Sequence, residues 1–300
     1  MAGNPKKVLV SGASGFIASG LIPALTKEGW EVFQLIRGKP VNAQQIGWDP
    51  SQPVDLESVS GFEAVIHLAG ENIFGLWTVA KKQRILNSRV VGTRHLAEAL
   101  AQTSEPPRVF LSASAIGYYG SRGDEILNEN SSSGGGFLAE VCRAWEAAAE
   151  PASQARIRIV HPRIGVVLSS LGGALKQMLT PFRLGLGGRI GSGRQWMSWI
   201  GIQDLVGGFL HLLRTESLEG PVNMVAPQPV TNAEFTKTLA VALSRPAVLP
   251  VPAFAIRLAL GQMGEELLLA SQRVNCTKLM VSGYQFESPA LKTALNKILR

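Results

Sequence analysis

Runs of consecutive apolar residues alternate along this chain with segments whose apolar positions recur every three or four residues. Residues 6–10 are a short apolar run that predicts a buried strand. Gly12-Ala-Ser-Gly15 follows at once, and then Phe16, Ile17, Leu21, Ile22 and Leu25 fall at helical spacing, with Gly29 as the stop. Residues 31–36 predict a second strand, so strand, glycine turn, helix and strand make a βαβ unit. Further strands are predicted at 64–68, 109–111 and 157–160, and helices at 79–102 and 137–150. Pro106-Pro107 breaks the first of these helices, and the Gly, Ser, Asn and Glu of 121–136 predict a surface loop.

Strands alternating with helices imply an α/β fold, a doubly wound parallel sheet of about seven strands. After about residue 170 the rhythm changes. Gly185, Gly187, Gly188, Gly191 and Gly193 predict a loop that is either flexible or tightly turned. A helix over 203–214 follows, and the last third reads as mostly helical, punctuated by Pro246, Pro250 and Pro252. The expected division is a nucleotide-binding core over 1–170 and a smaller, mostly helical substrate-side region over 171–300, their sheet contributions interwoven.

Composition narrows the classes. With 46% apolar and 17% charged residues the chain is not disordered, and 32 glycines without a Gly-X-Y period exclude collagen. No apolar run reaches the roughly 18 residues of a membrane helix, and the polar, basic residues 1–7 show no signal-peptide core. Twenty-nine basic against 22 acidic residues give +7, but the basic residues are scattered and no nucleic-acid motif is present. An anionic small ligand is the better expectation. Cys142 and Cys276 lie in no CxxC, and His67, His95, His161 and His211 have no metal-ligand spacing. No metal is expected, and two buried thiols suit a reducing cytoplasm.

The turn Gly12-x-x-Gly15-x-x-Ala18 lies between a strand and a helix. Its glycines let the backbone N–H groups of Gly12, Ala13, Ser14, Gly15, Phe16 and Ile17 approach a pyrophosphate, and the helix N-terminus favours the anion. The second strand ends in Leu35-Ile36-Arg37-Gly38-Lys39, without the acid that would hold a ribose 2′-hydroxyl. Arg37 suits a 2′-phosphate, so NADP(H) is expected over NAD. The alternative is that Arg37 and Lys39 are merely solvated charges.

These segments, together with His67-Leu-Ala-Gly-Glu-Asn72, Asn87-Ser-Arg89, Gly117-Tyr-Tyr-Gly120, Arg163-Ile-Gly-Val-Val-Leu168, Pro181-Phe-Arg-Leu-Gly-Leu-Gly-Gly188 and Asn223-Met-Val-Ala-Pro227, carry a resemblance over nearly the whole chain. It resembles the extended short-chain dehydrogenase/reductases, and within them the atypical, epimerase-like branch of YfcH-like proteins. Gln272-Arg273-Val274 matches that branch's own C-terminal extension. The resemblance implies a Rossmann-type core and places Leu68, Ala69, Gly70 and Glu71 beside the cofactor. It also places Arg84, Arg89 and Ser112 there, and sets Arg163 and Val167 against the nicotinamide. For Arg89, an exposed helix charge is the alternative.

Ordinary members of the superfamily use a Tyr-x-x-x-Lys pair as proton relay. Here the corresponding positions are Leu138 and Cys142, so that relay is missing. Ser114 stands at the position of the catalytic serine, and Tyr118 is the candidate replacement acid; the alternative is that Ser114 only lines the cofactor and Tyr118 only packs. Trp196 and Trp199 face either a ligand or the core. Two functions follow: an NADP(H)-dependent oxidoreductase or epimerase acting on a small molecule, or a cofactor-binding regulator acting through a protein partner, for example in cell or plastid division. The sequence leaves a homodimer open.

Overall fold

The structure, a computed structural model, describes residues 6–299. Residues 1–5, most of the segment 1–7 read as lacking a signal-peptide core, lie outside the described residues. The first half runs β1 (Lys7–Ser11), α1 (Phe16–Lys27), β2 (Glu31–Ile36), β3 (Gln45–Gly47), β4 (Ala64–His67), α2 (Val79–Gln102), β5 (Val109–Ser112), β6 (Ser114–Ala115), β7 (Ile126–Leu127), α3 (Phe137–Ala147) and α4 (Glu150–Gln154). The second half runs β8 (Arg158–Ile164), β9 (Val166–Leu168), α5 (Gly173–Arg183), β10 (Trp196–Met197), β11 (Trp199–Gly201), α6 (Ile202–Arg214), β12 (Gly220–Met224), β13 (Val230–Thr231) and α7 (Asn232–Leu243). It closes with α8 (Ala253–Gly264), β14 (Arg273–Val274), α9 (Thr277–Val281) and α10 (Leu291–Leu299).

The main sheet has eight strands in the order β12-β8-β5-β4-β1-β2-β3, with β6 added beside β8, and every pairing is parallel. This is the doubly wound Rossmann arrangement, and its strand order reverses between β1 and β4. Strands buried on both faces read as unbroken apolar runs. Val8, Val10, Ile66 and Leu111 pack on one face against Leu21 and Leu25 of α1 and Phe209 of α6. Leu9, Val65 and Phe110 pack on the other against Leu96 and Leu100 of α2. Each such fully buried leucine contributes about 1.5–3 kcal/mol.

The helix read over 79–102 spans Val79–Gln102, with Thr78 capping it through the Lys81 amide at 3.2 Å. The helix read over 137–150 stops at Ala147, and Pro151 lies in the first turn of the separate α4. The strand read over 157–160 continues to Ile164, through Pro162. Proline is rarely tolerated inside a sheet. Here it falls where β8 changes partner, pairing with β5 up to Val160 and with β6 from Arg163. The segment 121–136 contains β7, which pairs with β14 and buries Leu127 completely.

A third cluster lies off the sheet. Leu175 and Phe182 of α5, Phe235 and Leu239 of α7 and Leu291 and Leu295 of α10 surround Trp199. Thr231 and Glu234 close a capping box at the start of α7. The glycine-rich 185–193 segment is held: the Val251 amide donates to Arg189 O at 2.9 Å, and the Gly191 amide to Val251 O at 2.8 Å. A Cβ on Gly188 would lie 1.7 Å from Leu249 O, so this close approach requires glycine.

Candidate functional site

The turn between β1 and α1 opens at the reversal of strand order. Gly12 has φ +68°, and a Cβ on it would lie 2.7 Å from the Leu68 carbonyl carbon. Gly15 N–H donates to Gly12 O at 2.8 Å, and no side chain caps α1. The first amides of a helix have no partner within it, so those after Gly15 are available to an anion. Ser14 and Gly15 are exposed, Ala13, Phe16 and Ile17 half-buried. Across the turn, Ser11 Oγ lies 2.6 Å from His67 Nδ1 and accepts from the Leu68 amide at 3.2 Å, fixing the end of β4 against the end of β1. Burial pushes the His67 imidazole down to about 3, so it is neutral.

Arg37 is exposed just beyond β2, as is Lys39. Glu71 is taken by Lys81 at 2.6 Å, which holds its carboxyl below the usual range, and Arg84 lies 4.0 Å away. Arg89 donates to Glu71 O at 3.0 Å, its guanidinium lying against Gly70. The turn, residues 68–71 and half-buried Arg89 therefore adjoin one another along one edge of the sheet, and Arg37, just beyond β2, acts electrostatically on the Glu71 carboxylate.

Next to that edge is a cleft of about 280 Å³. Phe16 and Val167 line it together with Arg89, Leu138, Cys142 and Trp196. The two positions that would carry the missing proton relay thus face the cleft. Burial pushes the Cys142 thiol up to about 11, so it stays S–H. Trp199 is core and Trp196 is wall, its indole N–H donating to Asp124 at 2.7 Å.

Ser114, Tyr118, Ser112 and Arg163 are not among the residues lining this cleft. Ser114 is 2% exposed and donates to Glu146 at 2.6 Å. Arg163, expected against the nicotinamide, is instead engaged inside the protein. It grips both Glu146 oxygens at 2.8 Å and donates to the Tyr119 hydroxyl at 3.0 Å. That hydroxyl donates in turn to Asn223 at 2.7 Å. Arg163 Cζ lies over the Tyr118 ring, 3.5 Å from its centroid. Ser112 Oγ is completely buried and has no hydrogen-bond partner.

The sequence reading did not single out Glu266. Its carboxylate lines the cleft and accepts from the Phe137 and Leu138 amides at 3.0 and 2.8 Å, capping α3 from 128 residues away. Nor does the sequence give a role to Glu146, which holds Ser114 and Arg163. Among the described residues no cluster fits a metal ion, and no helix is long and apolar enough to cross a membrane.

Fold and site together define a nucleotide-binding protein of the Rossmann class. The chain belongs to the NAD dependent epimerase/dehydratase family, whose profile matches residues 8–225. A domain of unknown function, DUF1731, matches residues 251–298. An epimerase family protein of Mycobacterium leprae is 40% identical over 291 residues, 96% of this chain and 94% of that one. The crystal structure of human epimerase family protein SDR39U1 (isoform 2) with NADPH matches with TM-score 0.90 and 36% identity, over 97% of this chain and 98% of that one. A nucleoside-diphosphate sugar epimerase from Corynebacterium glutamicum matches with TM-score 0.83 and 37% identity, over 99% of this chain but 58% of its own.

Proposed function

We propose that this protein is an NADP(H)-dependent oxidoreductase of the epimerase family acting on a small molecule, in a reducing cytoplasm. The observation that carries the reading is Phe16. It begins the uncapped helix α1 and also lines the cleft, so an anion site and an apolar pocket share one residue. The amides from Gly12 to Ile17 hold the diphosphate, Leu68, Ala69 and Gly70 leave room for the ribose, and Arg37 takes the 2′-phosphate. The close-packed Gly12 fits such a ligand. When bound, NADPH supplies a hydride. The chain's own contribution is to orient the partners between Phe16, Val167 and Trp196 and to keep water from them. Ser114 and Tyr118 act from behind this wall, bracing it through Glu146 and Arg163.

A second reading, a cofactor-binding regulator working through a partner, is favoured by Leu138 and Cys142 at the relay positions. Fluorescence titration with NADPH and NADH separates the claims. Arg37→Ala weakens NADPH by about tenfold or more, matching the roughly 1.5–3 kcal/mol of a charged hydrogen bond, and leaves NADH nearly unchanged. Equal affinity of both nucleotides for the unaltered protein overturns the assignment of Arg37. Binding without turnover on any acceptor favours the regulator.

A further inference from the structure

A second concavity, a groove of about 610 Å³, lies along α7 on a face that the nucleotide reading leaves unused. The pattern of α7 creates it. Phe235 and Leu239 turn inward to the cluster around Trp199. Ala233, Lys237 and Val241 stay exposed at intervals of four, one stripe along the helix. Thr236 and Ala240, both buried, line the groove beside that stripe, and Arg245, Val248 and Pro250 line it beyond the helix end. The turn 183–187 packs against this last segment: the Leu249 amide donates to Gly187 O at 3.3 Å, and Arg245 Nε to Arg183 O at 3.1 Å. No residue of the groove lines the cleft.

The groove is basic. Arg189, Lys237 and Arg245 line it and no acidic residue does. None of the three is in an ion pair among the described residues. The sequence concentrates positive charge in the segments that build this face. Between Glu150 and Asp204 lie seven basic residues and no acidic one, and between Glu219 and Glu265 the only acid is Glu234. Glu234 is engaged in the capping box of α7. The same face is apolar as well. Val241 and Val248 are 67% and 74% exposed, and Leu184 and Leu186, from the Pro181–Gly188 run, are exposed on the adjoining turn. Large apolar side chains grouped in this way mark an interaction surface.

Shape and lining select the occupant. A flat anionic bilayer bridges a recess without filling it. Single-stranded nucleic acid binds by stacking bases on aromatic side chains, and no aromatic residue lines the groove. A second copy of this chain, at net charge +7, repels the basic face. A helix with an apolar stripe and acidic flanks fills a groove and meets the three cations with opposite charge. The open stripe from Ala233 to Ser244 is ~16 Å long at 1.5 Å per residue, about three turns. We infer that this groove docks an acidic amphipathic helix of a partner protein. The inference goes beyond the nucleotide reading and does not depend on it.

The test is fluorescence anisotropy with the full chain and a labelled peptide of about four helical turns, leucine at every third or fourth position and glutamate between. The expected result is saturable binding with a Kd of about 10 μM or tighter. Binding is at least about tenfold weaker in the double variant Lys237→Glu, Arg245→Glu, and in the double variant Val241→Ser, Val248→Ser. All four positions are exposed, so unchanged circular dichroism and urea midpoints are expected of both variants. Affinity unaltered in either variant overturns the inference. So does the absence of saturation by about 100 μM, or equal affinity for a peptide with lysine in place of glutamate. Tighter binding of oligouridylate or of phosphatidylserine vesicles overturns it in favour of nucleic acid or lipid. A dimer of the unaltered chain in sedimentation, lost in the two-serine variant, overturns it in favour of a second copy.

Discussion

Ser114 illustrates how far a single position constrains chemistry. Its place was legible through the resemblance alone, which sets it at the catalytic serine after β5. Its partner was not legible. Glu146 lies 32 residues later and Arg163 another 17, and no local pattern links them. Their pair is buried, with side-chain exposures of 13% and 3%, and paired through two hydrogen bonds. Removing one partner of such a pair leaves an uncompensated charge and costs about 3–5 kcal/mol. Glu146→Gln is therefore expected to lower the urea unfolding free energy by about 3 kcal/mol or more. Glu125→Gln, which breaks the exposed pair with Arg122, changes it by less than about 1 kcal/mol. His67 gives a pH signature. Its imidazole is held down to about 3 in the fold by burial, against about 6.5 when unfolded. The unfolded chain thus binds more protons between these values, and stability falls as pH drops through that window. His67→Asn removes this contribution, so unfolding free energies measured from about pH 7 to about pH 3 decline less steeply in the variant. Parallel curves would show that His67 does not carry the slope.

At the scale of elements, legibility tracked locality. The β1–α1 turn and α2 were readable because their signals are contiguous: glycines between a strand and a helix, and a long helical period ended by prolines. Gly12→Ala tests the turn. A left-handed conformation costs a non-glycine residue roughly 1–2 kcal/mol, and the new Cβ would also meet the Leu68 carbonyl carbon at 2.7 Å. Loss of NADPH binding together with at least about 2 kcal/mol of stability is expected, read by nucleotide fluorescence and urea titration. The course of β8 was misjudged because Pro162 ordinarily ends a strand, and only the handover from β5 to β6 excuses it. The start of α3 was placed correctly, but nothing nearby caps it: Gly136 has no side chain, and the cap comes from Glu266. Glu266→Ala should lower stability by about 0.5–2 kcal/mol and speed hydrogen exchange at the Phe137 and Leu138 amides. Unchanged exchange there would mean that water caps the helix as well as the carboxylate does.

For the molecule as a whole, the sequence reading expects a nucleotide-binding core over 1–170 and a mostly helical region over 171–300 with interwoven sheet contributions, without saying which segments interlock. β12, from the second half, pairs with β8 and extends the sheet. The C-terminal segment then returns to the core. Val274, Cys276 and Leu279 are completely buried in the same cluster as Val8 and Ile66. β14 pairs with β7, and the Asp204 carboxylate accepts from the Glu287 and Ser288 amides at 2.7 and 3.1 Å. Such contacts join residues far apart in the chain, where periodicity carries no information. They also make the segment matched by the domain of unknown function part of the cleft, through Glu266, Leu268 and Gln272. The full chain should therefore unfold in one transition, with near-ultraviolet circular dichroism, tryptophan fluorescence and bound-NADPH fluorescence changing together along a urea titration. A chain ending at residue 250 loses the three buried residues of the main core as well as Leu291 and Leu295 of the outer cluster. It should show no cooperative transition and bind no NADPH, because fully burying each such side chain is worth about 1.5–3 kcal/mol, against a total stability of about 5–15 kcal/mol. A truncated chain that still unfolds cooperatively and binds the nucleotide would show instead that the first half folds by itself and that the C-terminal segment merely roofs the cleft.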